Sequence, residues 1–190
     1  MNNTLIEDKN FEGINFSKAE LTKGEYENCN FVNCILSSQN FIDFAFVDCC
    51  FESCDLSLTK FKNTALKTVE FKNCKLLGAD FSNSNPFLLA LGFDNCLLNL
   101  ASFYKLKLKG TKYKSCKLQE VDFTECELSN SVFDTCDLLN ATFDKTILQK
   151  ADFRTAFNYL IDPEQNQLKK AKFSLSGVAG LLQRYDIEIS

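Results

Sequence analysis

Residues 51–71 read FESCDLSLTKFKNTALKTVEF. A large apolar residue stands at every fifth place: Phe51, Leu56, Phe61, Leu66 and Phe71. This spacing fits neither an α-helix, with 3.6 residues per turn, nor a strand, with a period of 2. It must be the period of an architecture. Outward from this stretch, every fifth residue is Phe, Leu or Tyr from Phe11 to Phe81, then again from Leu88 to Phe153. A slip of two residues separates the two series.

Two places before each large residue the side chain is small: Cys54, Thr59 and Thr64 here, Cys29, Cys34, Ala79, Cys116 and Ala151 elsewhere. The other three places are mostly polar. Two residues in five therefore face inward. A square coil of four five-residue sides satisfies this, with each side an extended segment paired to the coils above and below at about 4.8 Å. The stacking period is then twenty. Cys34, Cys54 and Cys74 obey it, as do Cys96, Cys116 and Cys136; the two-residue slip falls between the sets. The large residues sort into columns. Phe11, Phe31, Phe51, Phe71, Phe93, Tyr113, Phe133 and Phe153 form the first side. Phe16 followed by Leu36, Leu56, Leu76, Leu98, Leu118 and Leu138 forms the second, and Leu21 followed by Phe41, Phe61, Phe81, Phe103, Phe123 and Phe143 the third. The fourth is mixed at first and continues as Leu108, Leu128 and Leu148. The expected fold is all-β: a quadrilateral β-helix of about seven coils over residues 1–157, with a register break near 82–92.

Composition narrows the function. The 190 residues include 19 Phe, 10 Cys and no His or Trp, with a net charge of −4. Met1 to Phe11 carries Glu7 and Asp8 and no apolar run, so it does not read as a signal peptide. No segment is apolar enough to span a bilayer. Free thiols in a cytoplasmic protein are the expectation, since no Cys-x-x-Cys pair occurs. The stacked thiols would point inward in parallel, whereas a metal needs converging ligands. They read as small packing residues, and no metal or cofactor is expected. Cys50, placed outward, reads as the thiol most open to reaction. With no His, phosphate loop or nucleophile motif, no catalytic residue and no enzyme activity are expected.

Charge is distributed in blocks. Residues 1–80 carry eight Lys/Arg against twelve Asp/Glu, 81–118 six against one, and 119–157 three against eight. An acidic rod has a basic waist. Lys107 and Lys109 flank Leu108 within it. They are either a solvated face or a contact for acidic protein surface or nucleic-acid phosphate.

The motifs Ala79-Asp80-Phe81, Cys136-Asp137-Leu138 and Ala151-Asp152-Phe153 resemble those of the pentapeptide-repeat family, over about residues 9–157. The resemblance implies a right-handed quadrilateral β-helix. The segment Ile161-Asp162-Pro163-Glu164, a following apolar stripe and an alternating end resemble the branch holding Qnr-type quinolone-resistance proteins and the microcin B-type immunity protein. That branch implies binding to a type II topoisomerase, DNA gyrase, and its protection from a quinolone or a microcin-like poison. A generic interaction scaffold with another partner is the alternative. Rods of Gram-negative Qnr type carry two projecting loops; here the first is missing and the second is reduced to two residues. Acidic rods of the family are read as duplex-DNA mimics, which a basic waist fits poorly. Direct nucleic-acid binding is not expected.

The two extra residues are best placed at Ser84 and Asn85. Pro86 then takes the small position, Leu88 the centre, and Phe87 and Leu89 face outward beside Ala45, Val47 and Ala65. Such an outward cluster marks a binding site; the other reading folds Phe87 back over the break. Pro86, Phe87, Leu89, Lys107 and Lys109 are thus the candidate partner site. Residues 158–190 read as a cap: a turn at 158–163, then a short C-terminal helix from Ser174 or Ser176 weakened by Gly177 and Gly180. Its stripe of Leu175, Val178, Leu181, Leu182 and Tyr185 is the candidate homodimer interface. Asp186 to Ile189 alternates like a strand.

Overall fold

The computed structural model describes residues 4–188. The chain winds into a parallel β-solenoid of about seven turns, a quadrilateral β-helix with almost no helix. The strands are β1 (Thr4–Glu7), β2 (Asn10–Glu12), β3 (Gly24–Glu27), β4 (Asn30–Val32), β5 (Ala45–Val47), β6 (Cys50–Glu52), β7 (Ala65–Lys67), β8 (Val69–Lys72), β9 (Leu91–Asp94), β10 (Lys112–Lys114) and β11 (Val132–Asp134). They form two parallel sheets on adjacent sides. One runs β1-β3-β5-β7, the other β2-β4-β6-β8-β9-β10-β11. Phe11 pairs with Phe31, Phe31 with Phe51, and Phe51 with Phe71, each a step of twenty. Phe71 pairs with Phe93, a step of twenty-two. Single bridges continue the ladders on the other two sides, as in Asp55–Lys75–Leu97 and Lys60–Asp80–Ser102.

Inside, the first column is one aromatic stack. Ring centroids lie 4.6 Å apart for Phe31–Phe51, 5.3 Å for Phe93–Tyr113 and 4.6 Å for Phe133–Phe153, with planes within 10° of parallel. The third column stacks likewise, at 4.5 Å for Phe61–Phe81. The two columns meet edge-to-face across the axis, as in Phe71–Phe81 at 78°. Both geometries are the ones ring quadrupoles favour.

The small inward residues have a second duty. Each sits beside a backbone carbonyl of the preceding coil. Cys54 and Cys74 donate their thiols to the carbonyls of Phe31 and Phe51, both at 3.2 Å. Thr64 and Ser131 donate to Phe41 and Leu108 at 2.6 and 3.0 Å. This explains why Cys, Thr and Ser share the position. Burial pushes the thiols of Cys49 and Cys126 up to about 12, so both stay protonated donors. Cys50 is only half-exposed, and burial pushes its thiol up as well. Its outward place therefore does not make it a ready thiolate.

The corners carry a feature that the hydrophobic period leaves unread. Two places after most of the large residues the backbone takes a positive φ: 51° at Asn28, 54° at Asn63, 54° at Asn73 and 53° at Asn95. Asn and Asp tolerate this conformation best after Gly. Their amides then link the corners, Asn63 to Asp43 at 2.6 Å and Asn95 to Asn73 at 2.8 Å. On many sides the corner is closed by a turn, as where the Thr64 N–H donates to the Phe61 carbonyl at 3.1 Å. A left-handed third residue suits such a turn.

Two substitutions test the packing. Phe123 is fully buried, and Phe123→Ala should cost about 3–5 kcal/mol. Thr124, on the outer surface beside it, should change by about 0.5 kcal/mol or less on Thr124→Ala. Equal losses in urea unfolding would contradict the coil register. The Tyr113 hydroxyl is the converse case. It is buried within the aromatic stack and has no hydrogen-bond partner. An unsatisfied buried donor costs about 1–3 kcal/mol, so Tyr113→Phe should raise the unfolding midpoint; a lower midpoint would show that the hydroxyl is satisfied.

Candidate partner-binding site

The register break is made by one imino acid. Counting twenty from Leu66 gives Pro86, which takes the place of a Phe or Leu centre and is exposed. Elsewhere the centre's N–H donates to the next coil: Leu76 to Leu97 at 2.7 Å, Phe81 to Ser102 at 2.9 Å. Pro86 has no N–H to give. The fourth side is therefore interrupted. Bridges join Ala65 to Asn85 and Lys107 to Glu127, and among the described residues none joins 85–90 to 107.

The expected placement of the extra residues is corrected in four respects, the first being that Pro86 stands at a centre's place and not at the small position. Ser84 and Asn85 stay in register, through Ser84 N–H to Phe81 O and Asn85 N–H to Thr64 O, both at 2.9 Å. The bulge lies instead in 86–90, and pairing resumes where Val69 meets Leu91. Leu88 is not a centre. It takes φ 56° and is 64% exposed. Leu89 does not face outward; it turns in and packs against the core. Phe87 faces out, at 66% exposure, with its N–H held by the Asn85 side chain at 2.9 Å. The outward apolar pair is thus Phe87 and Leu88. The Lys67 ammonium lies 5.7 Å from the Phe87 ring centroid, a cation–π distance.

The lysine waist winds onto all sides of the coil that follows. Lys105 pairs with Glu125 at 3.4 Å and Lys114 with Asp94 at 2.9 Å. Among the described residues Lys107, Lys109 and Lys112 form no ion pair, and all three are exposed. The ladder shows why for Lys112, whose neighbours are Gly92 and Val132. Lys107 neighbours Glu127 without closing on it. Lys107 and Lys109 occupy the fourth side of the coil after Pro86, so topology brings them next to the bulge.

The helical part of the tail is 3-10 rather than α. It forms two 3-10 turns, Val178–Leu181 and Gln183–Tyr185. Glycine explains this: it disfavours the α-helix, and here it also admits Tyr159. A Cβ on Gly177 would strike the Tyr159 hydroxyl, and one on Gly180 the Tyr159 carbonyl oxygen. The expected stripe is split. Leu181 packs on the core, Val178 and Leu182 are half-buried, Tyr185 is 47% exposed and Leu175 93% exposed. Phe173 stacks on Phe153 at 5.4 Å, so coil packing continues beyond residue 157. Arg184 clamps the end through Asp162 at 2.8 Å and Glu164 at 2.9 Å. Asp186 takes φ 48°, and Ile187 and Glu188 form no strand; Ile189 lies outside the described residues. Beside the cap is an open groove of about 770 Å³ lined by Leu139, Phe157, Tyr159, Leu160, Leu182 and Ile187 among others.

Two family profiles match this repeat. One described as "Pentapeptide repeat region" matches residues 25–103, and one described as "Pentapeptide repeats (8 copies)" matches residues 116–154. The chain belongs to the pentapeptide-repeat family. Its fold is similar to that of QnrB1, described as a plasmid-mediated fluoroquinolone resistance protein. A trypsin-treated form of QnrB1 matches with TM-score 0.62 and 22% identity, over 100% of this chain and 92% of that one. A second trypsin-treated form matches with TM-score 0.50 and 22% identity, over 98% and 100%. No curated protein sequence matches. Among the described residues of this pentapeptide-repeat rod, no helix is long and apolar enough to cross a membrane.

Sequence reasoning missed Leu88 and Lys67. Placing the extra residues at Ser84 and Asn85 makes Leu88 a centre, whereas counting forward from Leu66 lands on Pro86 and exposes the conflict. Substitution separates the two placements. Phe87→Ala and Leu88→Ala should each leave the unfolding midpoint within about 0.5 kcal/mol of wild type, while Leu89→Ala should cost about 1–3 kcal/mol, because it empties core contact. A large loss at Leu88 with none at Leu89 would restore the other register.

Proposed function

We propose that this pentapeptide-repeat protein is a cytoplasmic homodimer that binds DNA gyrase or a related type II topoisomerase and protects it from a quinolone or a microcin-like poison. The observation that carries this reading is the full-length likeness in fold to QnrB1, joined to a mid-rod bulge that presents Phe87 and Leu88 to solvent. The activity is binding alone. The acidic coils on either side of the waist compete for, or brace, the surface with which the enzyme grips DNA, and the bulge anchors the rod. Dimerisation uses the tail: Leu175, Tyr185 and Ile187 are exposed beside the apolar groove at the cap.

A second reading, a scaffold for a different protein, is favoured by another patch. Leu58, Leu77 and Leu100 are exposed on the second side, at 62%, 39% and 61%, on a different side of the rod from the bulge. The two readings part in one assay. Gyrase supercoiling is measured with a fluoroquinolone, with and without the purified protein. Restored supercoiling supports protection; no restoration at saturating protein sinks it and leaves the scaffold. For the tail, Leu175→Asp with Ile187→Asp should convert a sedimenting dimer to a folded monomer. A wild-type monomer at micromolar concentration would remove the dimer.

A further inference from the structure

We infer that Phe87 and Leu88, with Lys107, Lys109 and Lys112 of the following coil, form a docking site for an acidic polypeptide segment with apolar side chains. The inference rests on the bulge being the anchor, as proposed above, and adds the chemistry of what it grips. Three observations lead to it. The apolar pair is held out by construction. Pro86 breaks the ladder, Asn85 fixes the Phe87 N–H at 2.9 Å, and Leu89 takes the inward place. The three lysines are exposed and, among the described residues, without ion pairs, although neighbouring Lys105 and Lys114 are paired. Lys67, lying 5.7 Å from the Phe87 ring centroid, extends the positive field across the apolar pair.

Charge complementarity then selects the occupant. Free ammonium groups on the coil that follows two exposed apolar side chains suit carboxylates flanking apolar residues. A nucleic acid would also be drawn to the lysines, but its phosphates repeat along the strand. The basic belt is about one coil tall, roughly 5 Å. The segments on either side carry excess acid, twelve against eight before it and eight against three after it. A phosphate backbone leaving the belt along the rod would meet like charge; a short acidic segment fits within it.

The test uses the full chain. Binding is read by fluorescence anisotropy with three labelled probes: a peptide of alternating Glu and Leu, the same peptide with Gln for Glu, and a single-stranded DNA of matched charge. The Glu-Leu peptide should bind at least about tenfold more tightly than either other probe, and raising salt should weaken it, since such contacts are screened beyond about 8–10 Å. Phe87→Ala/Leu88→Ala, and separately Lys107→Glu/Lys109→Glu/Lys112→Glu, should each weaken it at least about tenfold with the melting temperature unchanged. No binding of the acidic peptide, equal binding of the Gln peptide or the DNA, or full binding by the charge-reversed variant would overturn the inference. A gyrase pull-down with the same variants keeps it apart from the functional reading. Peptide binding without gyrase binding defeats gyrase protection and leaves the docking chemistry. Gyrase binding undiminished in both variants defeats the docking site and leaves protection standing.

Discussion

A coil of this chain can satisfy neither its backbone nor its inward side chains by itself. Apart from the turn bonds that close its corners, its N–H and C=O groups point along the rod axis and are met by the coil before and the coil after. The large residue needs a ring or branched chain above and below. The small residue needs a carbonyl one coil back, as Cys54 needs that of Phe31. Stability is therefore a sum over neighbouring coils. The end of the stack is where it must be closed by something else. At the C-terminal end Phe173 closes the aromatic column, Tyr159 fills beside it, and Arg184 ties the cap through two carboxylates.

This division of labour separates folding from recognition. The axis consumes two residues in five and leaves little freedom there. The outer positions are free to vary, because an exposed side chain contributes little to coil stacking. Charge can then be laid down in blocks along the rod without touching the core. The lysine waist is such a block. Lys105 and Lys114 pair with acids, while Lys107 and Lys109 stay open on the side where Pro86 interrupts the ladder and Lys112 stays open at the start of the next side.

What the sequence made legible was whatever repeats. The five-residue period placed Phe31, Phe51 and Phe71 in one column, and their rings stack as that column requires. The thiol column was legible for the same reason, though its hydrogen bonds were not, because a carbonyl partner leaves no mark in the sequence. The break was read from the wrong side. Two registers meet at 86–90, and Leu88 fits the later one in spacing but not in the structure. The missing N–H of Pro86 was the signal that decides. In the tail an apolar spacing of three and four marks helical turns, but not that they are two short 3-10 pieces rather than one α-helix. Gly177 and Gly180 instead fit the body of Tyr159, a contact between segments that local periodicity cannot reveal. The left-handed corners were visible only as a taste for Asn and Asp.

The bulge also defines where this molecule can tolerate change in length. Val69 recovers its partner at Leu91 whatever the chain does between Pro86 and Ala90, because the first side re-enters register on its own ladder. The cost of a longer excursion between fixed ends grows only as the logarithm of its length. Sequence could be inserted here, or a foreign peptide grafted, while the aromatic stack from Phe71 to Phe93 stayed whole. The same insertion at a strand centre would shift every inward residue after it. The site is thus a natural point of growth, where a rod with uniform walls can acquire a loop of its own without rewriting the repeat.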